Sequence, residues 1–306
     1  MAAEQRKRKS MGPRSHAMHI GEDVYLMTLM VLRTGMAMCL VTSWFGCESN
    51  DLSYPFRMMI GRIAGLGSTF VHYPNLQESQ ARLIDKYKSV YGSEHLRSIL
   101  DCFEIRIPKA TNQKMARKQY STYKHDYTGK ALCALHPGGH ILFCSDIYPG
   151  SIDDNSLVSD VYTLHLLLRI AIDCASTGAH IYVQVHDSGF INLVERGDVH
   201  AADRGFTCDV AFAAMGASVV YPPFSEDNKE QFAADAAAEG YNQAQMRIHV
   251  ERAIKFIKDW RYLDRVVPWC HIPFLSNILR AIVVLTNFTN APIGPTELEN
   301  FDRCRI

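Results

Sequence analysis

The chain has 306 residues, with 32 Lys and Arg against 32 Asp and Glu, and 47% of its residues are hydrophobic. That composition excludes a disordered, collagen-like or coiled-coil protein, and a chain of this length can bury a complete core without disulfides or metals. A net charge of zero leaves nucleic-acid binding open, because such binding depends on where the positive charges lie.

The cysteines are scattered rather than grouped. They stand at positions 39, 47, 102, 133, 144, 174, 208, 270 and 304. No two have the spacing of about two to four intervening residues that zinc fingers use. We therefore predict neither a zinc site nor a disulfide framework, and we expect reduced, mostly buried thiols in an intracellular protein.

The N-terminus is polar and basic, with the run Arg6–Lys9 inside residues 1–21. We predict a disordered tail, and the run is typical of a nuclear import signal or a DNA-contacting arm, although a solvated tail fits it too. The most apolar stretches, residues 164–174 and 278–288, contain charges and are too short to span a bilayer. The sequence thus predicts a nuclear protein with no membrane partner.

Residues 22–67 are predicted to form three short helices, the third over about residues 49–63. This layout is that of a helix-turn-helix, although a plain three-helix packing unit fits it equally well. Pro55 falls inside the third helix, where it removes a backbone donor. Residues 68–97 are predicted to be a linker followed by one amphipathic helix.

From residue 98 onward, short β-branched and apolar segments are separated by Gly and Pro, which predicts strands. The expected strands are residues 98–107, 128–136, 140–147, 199–203 and 217–221, the second and third forming a hairpin. The expected helices are residues 153–174, 243–260 and 271–290. This order predicts an α/β domain over residues 98–306, with a mixed sheet flanked by helices.

Two aspartates stand in unusual places in these strands. Asp101 lies mid-strand among apolar neighbours, where an ionised carboxylate is costly unless it is paired or binds a metal. Glu104 falls on the opposite face of the strand, so the partner of Asp101 comes from elsewhere. Asp203 closes its strand, and the ends of strands are where open α/β sheets place their sites. A salt bridge to Lys or Arg remains an alternative for both aspartates.

Glu251 lies on a predicted helix and shares one face with Arg247, Lys255 and Lys258. For an isolated helix, a solvated ladder of ion pairs is the simpler interpretation. However, two strand aspartates and one helix glutamate can also hold two divalent ions about 3.5–4 Å apart, and oxygen ligands suit Mg²⁺ or Mn²⁺.

Residues 106–130 carry seven Lys and Arg against one Asp, and three tyrosines are interleaved among them. Such a segment could follow a phosphate backbone and stack an unpaired base, although a solvated loop also fits. The basic residues that we predict to contact DNA are Lys109, Lys124, Lys130, Arg204, Arg247, Arg252, Lys255 and Lys258.

Seven blocks of the sequence resemble, in order, the DDE nuclease domain of Harbinger-type transposases. They are residues 101–109, 120–124, 128–130, 150–155, 202–206, 222–224 and 247–252. The resemblance implies an RNase H-like fold and a site in which Asp101, Asp203 and Glu251 hold two Mg²⁺ or Mn²⁺ ions. It implies an endonuclease and transposase that cuts DNA phosphodiester bonds, with strand transfer, a homo-oligomer and a separate DNA-binding helper protein.

Residues 24–67 also resemble the helix-turn-helix that precedes this nuclease domain in relatives. Asp51 and Pro55 depart from that pattern, and the stretch from about residue 170 to 200 is longer than in relatives. The alternative function is therefore a domesticated, transposase-derived DNA-binding or adaptor protein that does not cut DNA.

Overall fold

The structure is a computed structural model that describes residues 21–83, 85–91, 93–154, 188–203, 205–221 and 250–290. Its strands are Leu96–Arg106 (β1), Tyr120–Ser121 (β2), Asp126–Leu135 (β3), Ile141–Cys144 (β4), Tyr148–Pro149 (β5), Val199–Ala202 (β6) and Ser218–Val220 (β7).

The described α-helical segments before the sheet are Glu22–Thr34 (α1), Met38–Trp44 (α2), Ser49–Gly65 (α3), Gly67–Phe70 (α4), Leu76–Arg82 (α5) and Asp85–Tyr91 (α6). Those that follow are Gln113–Gln119 (α7), Asp209–Ala214 (α8), residues 250–258 (α9), Arg261–Asp264 (α10) and Leu275–Thr289 (α11). The predicted tail before residue 21, most of the predicted helix 153–174 and the predicted helix 243–260 before residue 250 lie outside the described residues.

The strands form one mixed sheet in the order β2–β3–β1–β6–β7, with β4 and β5 also paired to β3. β1 pairs antiparallel with β3 and parallel with β6, and β6 pairs parallel with β7. β3 pairs antiparallel with β2, β4 and β5. The predicted mixed sheet flanked by helices and the predicted hairpin over residues 128–147 are both confirmed.

The third predicted strand, residues 140–147, is shorter than expected, and Ser145 supplies the reason. Its hydroxyl accepts a hydrogen bond from the Leu132 N–H at 2.9 Å and donates one to the Asp146 carbonyl at 2.7 Å. The side chain thus takes the place of a backbone acceptor in the ladder. β4 therefore ends at Cys144, and the next strand that pairs with β3 is β5.

Side chains alternate across the sheet, so its two faces belong to two hydrophobic cores. Ile99 and Phe103 of β1 face the larger core, and Leu100 faces the smaller one. The three helices predicted over residues 22–67 are present, and they bury side chains such as Leu32 and Phe56 in the larger core. The N-terminal helices therefore pack in the same core as one face of the sheet.

The single helix predicted within residues 68–97 is instead two short helices, α5 and α6. An Asn75–Glu78 capping box starts α5, with a hydrogen bond of 2.9 Å from the Glu78 N–H to the Asn75 side chain. Leu83 then adopts an extended conformation and its side chain is buried in the core. α5 therefore ends at Arg82, with Leu83 as its C-cap.

α3 begins with a second capping box, in which the Asp51 carboxylate accepts a hydrogen bond from the Glu48 N–H at 3.1 Å. Asp51 therefore has a local structural role at the position where the helix-turn-helix resemblance fails. The helix continues through Pro55, whose missing N–H leaves one turn without its hydrogen bond. DNA recognition by α1–α3 stays a prediction.

The predicted core helix over residues 271–290 is confirmed as α11, which follows a 3₁₀ segment, Trp269–Phe274. By length and a mean hydropathy of 1.4, Trp269–Thr289 is also apolar enough to cross a membrane. In this structure 56% of its most apolar window is buried in the protein. The Asn287 side chain ties α11 to the sheet, accepting a hydrogen bond from the Ile141 N–H and donating one to its carbonyl.

A buried polar network fixes β1 against β6 at their N-terminal ends. The Arg97 side chain is 1% exposed and donates hydrogen bonds to Asp198 at 3.2 Å, Glu195 at 3.3 Å and the Pro74 carbonyl at 2.7 Å. One residue further along β1, the Ser98 hydroxyl is paired with a ring nitrogen of a buried histidine across the strand boundary at 2.9 Å.

That histidine is His200 of β6, and it is neutral in the folded protein. Burial, reinforced by the positive charge of Arg97, lowers the pKa of His200 to about 3. Desolvation raises the pKa of Asp198, against the effect of Arg97, which lowers it. Because these groups lie in one network on neighbouring strands, they fix the register between β1 and β6.

Candidate functional site

Asp101 and Asp203 lie side by side at one level of the sheet. The parallel register of β1 and β6 ends with Leu100 opposite Ala202, so the residue that follows each of these two is an aspartate. Neighbouring strands are ~4.8 Å apart, which brings the two backbone positions together. Both side chains are half-buried.

The two aspartates also share a face of the sheet. Asp101 is two residues from both Ile99 and Phe103, so its side chain is on their face of the sheet. Asp203 comes directly after β6 and two residues after Ala201, so the same alternation puts it on the face of Ala201. All three of these apolar residues belong to the larger core. The predicted pair of strand aspartates is therefore placed on the side of the sheet that α9 covers, since α9 buries its apolar residues in the same core.

Lys258, at the end of α9, carries a charge that interacts with Asp101. The Lys258 side chain is half-buried, and burial lowers its pKa, as does the neighbouring positive charge of Lys124. The carboxylates of Asp101, Asp264 and Glu104 oppose this change and raise the pKa. The ammonium group therefore lies in the field of Asp101, and the tip of the basic segment carrying Lys124 is close by.

Glu251 lies on the same side of α9 as Lys258, two helical turns towards the N-terminus, and it is exposed. Seven residues of helix correspond to ~10 Å along the axis. Within the described residues, no three His, Cys, Asp or Glu side chains are grouped closely enough to hold a metal ion. Convergence of Glu251 with the two aspartates stays a prediction.

Glu104 faces away from Asp101, as the alternation predicts, and belongs to a separate polar cluster. Its carboxylate accepts hydrogen bonds from the Ser121 hydroxyl at 3.1 Å and the Thr128 hydroxyl at 2.6 Å. The Lys130 ammonium lies 3.8 Å from the same carboxylate.

Lys130 is therefore engaged with the protein itself, although the sequence predicts that it contacts DNA. Its ammonium group donates hydrogen bonds to the Ile152 carbonyl at 2.8 Å and to Asp154 at 3.0 Å. The side chain is only 12% exposed. We expect Lys130 to hold the segment after β5 against β3 rather than to bind a phosphate.

Two other basic residues of the segment 106–130, Lys109 and Lys124, lie over tyrosine rings next to β2 and β3. The Lys109 ammonium lies 5.5 Å from the centre of the Tyr127 ring, and that of Lys124 lies 4.5 Å from the Tyr123 ring. Tyr123 is 79% exposed, so one ring face is available to a ligand. Cations and exposed rings together are suited to single-stranded nucleic acid.

On α9, the Arg252 guanidinium lies over the Phe256 ring at 5.5 Å, and Lys255 is exposed. Both extend the positive charge of Lys258 along the helix. Arg204 and Arg247, the other predicted DNA contacts, lie outside the described residues.

The buried network of Arg97, Asp198 and His200 is absent from the sequence predictions. A possible signal is the spacing of Asp198 and His200, which puts two polar side chains on one face of a short apolar strand. That signal does not reveal Arg97 as their partner, because the three residues meet only when β6 pairs with β1.

A curled mixed sheet flanked by helices is consistent with an α/β nuclease fold. Residues 100–287, more than half of the chain, match the DDE superfamily endonuclease family. The chain therefore belongs to that family. No curated protein and no solved structure matches the sequence significantly.

Proposed function

We propose that this protein is a divalent-metal-dependent DNA endonuclease of the Harbinger transposase type, with an RNase H-like fold and with strand transfer as a second reaction. The observation that carries the proposal is the register of β1 and β6, in which Leu100 lies opposite Ala202, one residue before Asp101 and Asp203. Membership of the endonuclease family supports a nuclease in general.

The residues present fit a hard divalent cation. Two half-buried carboxylates at one level of a sheet offer the oxygen ligands that Mg²⁺ and Mn²⁺ prefer. In the proposal, Asp101, Asp203 and Glu251 hold two ions. Such ions, when bound, supply an activated water or hydroxyl nucleophile and stabilise the leaving oxygen of the phosphodiester.

In the proposal, the basic and aromatic side chains around the aspartates bind and orient DNA. Lys258 brings a positive charge into the field of Asp101, and Lys124 lies close to Lys258; in the proposal these two charges hold the scissile phosphate. Arg252 and Lys255 continue this basic surface along α9, and Tyr123 offers a ring face to an unpaired base. The lysines also offset the repulsion between the phosphate and the carboxylates.

The proposal includes the arrangement inferred from sequence: a basic tail over residues 1–21, a helix-turn-helix-like module over 22–67, a linking segment over 68–97 and the nuclease domain over 98–306. The tail would direct the protein to the nucleus. A homo-oligomer and a separate DNA-binding helper protein are the expected partners.

Cleavage of supercoiled plasmid DNA in Mg²⁺ or Mn²⁺ tests the proposal. We expect Asp101→Asn, Asp203→Asn and Glu251→Gln each to lower the nicking rate at least ~100-fold, because each would remove a ligand from the site. Asp85→Asn is the matched control, since the Asp85 side chain is 96% exposed on α6. An acid variant that nicks as fast as the control would remove that residue from the site.

One observation favours a second candidate, a transposase-derived DNA-binding or adaptor protein that does not cut. Glu251 is exposed two turns away from Lys258, and the described residues contain no three-ligand cluster. Under this alternative, the purified protein binds DNA through the same basic surface, shows no cleavage in Mg²⁺ or Mn²⁺, and gives no heat of metal binding in calorimetry.

A further inference from the structure

Two cysteines lie directly opposite each other on neighbouring antiparallel strands. Cys133 of β3 pairs with Cys144 of β4, and both are free thiols. At the adjacent level, the Ser145 N–H donates a ladder hydrogen bond to the Leu132 carbonyl at 2.9 Å. Since hydrogen-bonded and non-hydrogen-bonded levels alternate along an antiparallel pair, the two cysteines occupy a non-hydrogen-bonded level.

That level has the geometry that a disulfide requires. In a non-hydrogen-bonded pair the Cα atoms are ~4.5 Å apart and the side chains approach most closely. Disulfides span Cα separations of about 4.4–6.8 Å, so the bond can form without separating the strands. The two thiols already interact. The pKa of Cys133 is raised well above its usual value, mainly by a hydrogen bond with Cys144 and secondly by burial.

The two thiols differ in their access to solvent. Cys133 is fully buried, whereas Cys144 is half-buried. Cys144 lines a cleft of about 300 Å³ beside β4, together with Tyr73, Phe143 and Arg280. A small oxidant in that cleft meets Cys144 and has no route along the surface to Cys133.

We propose that Cys133 and Cys144 form a redox modification site at which a peroxide converts the dithiol into a disulfide. The Cys144 sulfur attacks one oxygen of hydrogen peroxide, the O–O bond breaks, and a sulfenic acid and water form. The Cys133 sulfur then attacks the sulfenic sulfur, the S–S bond forms, and the hydroxyl leaves as water with the Cys133 proton. Two thiols are oxidised and one peroxide is reduced to two waters.

The site adjoins Asp101, because β1 and β3 pair Asp101 with Cys133. The charge of Asp101 acts on the Cys133 thiol and contributes to its raised pKa. Oxidation therefore replaces a thiol proton beside Asp101 with a cross-link between β3 and β4. Formation of the disulfide does not depend on nuclease activity, and the disulfide is detected directly as a covalent bond.

Tryptic mapping of the full-length protein after hydrogen peroxide treatment tests the proposal. No Lys or Arg lies between residues 131 and 168, so trypsin releases residues 131–169, and this peptide contains only the two cysteines. After alkylation with iodoacetamide, we expect the oxidised peptide to lack both alkyl groups and to have lost two hydrogens, and dithiothreitol to reverse this.

Serine variants of the two cysteines distinguish Cys144, which reacts with the peroxide, from Cys133, which attacks the sulfenic acid. In Cys133→Ser, Cys144 accumulates as a sulfenic acid that dimedone traps, whereas in Cys144→Ser, Cys133 stays reduced and is alkylated only after unfolding. Cys102→Ser, which changes a thiol on the opposite face of the sheet, leaves the yield of disulfide unchanged. Stable sulfenic acid in the wild-type protein, a cross-link to another peptide or an unreacted dithiol would each overturn the proposal.

Discussion

Replacing Asp198 with alanine should destabilise the protein severely, because it removes the main partner of a buried guanidinium. Arg97 is 1% exposed and Asp198 is fully buried, and their side chains are 3.2 Å apart. Removing one partner of a buried ion pair costs about 3–5 kcal/mol of unfolding free energy. The Asp198 carboxylate also accepts a hydrogen bond from the Glu195 N–H at 2.9 Å, so the upper half of that range is expected.

Glu195→Gln provides the internal comparison, since Glu195 contacts the same guanidinium at 3.3 Å but its side chain is 54% exposed. An exposed ion pair contributes about 0–1 kcal/mol, so this variant should lose less than ~1 kcal/mol. The double replacement Arg97→Met and Asp198→Leu should recover much of the loss, because it removes both buried charges.

Urea unfolding followed by circular dichroism measures these free energies. The expected order of stability is wild type, Glu195→Gln, the double variant and then Asp198→Ala. If Asp198→Ala loses no more than Glu195→Gln, the buried pair does not hold β1 against β6 and the reasoning is refuted.

Three further results follow from the described contacts. The pKa of His200 is about 3 in the folded protein and ~6.5 in the unfolded chain, so the unfolded chain binds a proton first as the pH falls. The free energy of unfolding should therefore fall as the pH drops from 6.5 towards 3, by up to ~2 kcal/mol at pH 5. In urea titrations at several pH values, His200→Gln should reduce this dependence on pH. Gly150→Ala places a Cβ 2.0 Å from the Thr128 hydroxyl and 2.8 Å from its carbonyl oxygen, so we expect a lower Tm in calorimetry, whereas an unchanged Tm would show that the backbone yields there. Lys124→Ala should weaken DNA binding in fluorescence anisotropy and reduce the slope of log affinity against log salt by ~0.9, whereas Lys88→Ala on α6 should change neither.

Much of the fold follows from local sequence pattern. A segment rich in β-branched and apolar residues that stops at Pro108 predicts β1, and the Pro137–Gly139 turn predicts the hairpin of β3 and β4. The apolar run of α11 predicts a buried helix. These predictions succeed because the periods of helix and strand are properties of neighbouring residues. They miss the break after α5, and they miss the early end of β4, which a hydroxyl bond between the strands determines.

The candidate site is less predictable, because the position of a basic residue in the sequence does not show which group its side chain contacts. From the sequence, Lys130 and Lys258 are both basic residues predicted to contact DNA. In the structure, Lys130 is bonded to Asp154 and the Ile152 carbonyl, whereas Lys258 lies in the field of Asp101. Lys130 therefore stabilises the protein, whereas a phosphate contact by Lys258 stays a prediction.

The sequence by itself determined that Asp101 and Asp203 sit in or directly after apolar strands, since that follows from the residues on either side of each. Only the tertiary structure decided that they are neighbours, because the parallel pairing of β1 with β6 is long-range and is held by Arg97 and Asp198. The same applies to Cys133 and Cys144: their strands can be read locally, but their opposition depends on the register of the hairpin. Register is set by hydrogen bonds and packing between segments, and no local period encodes it.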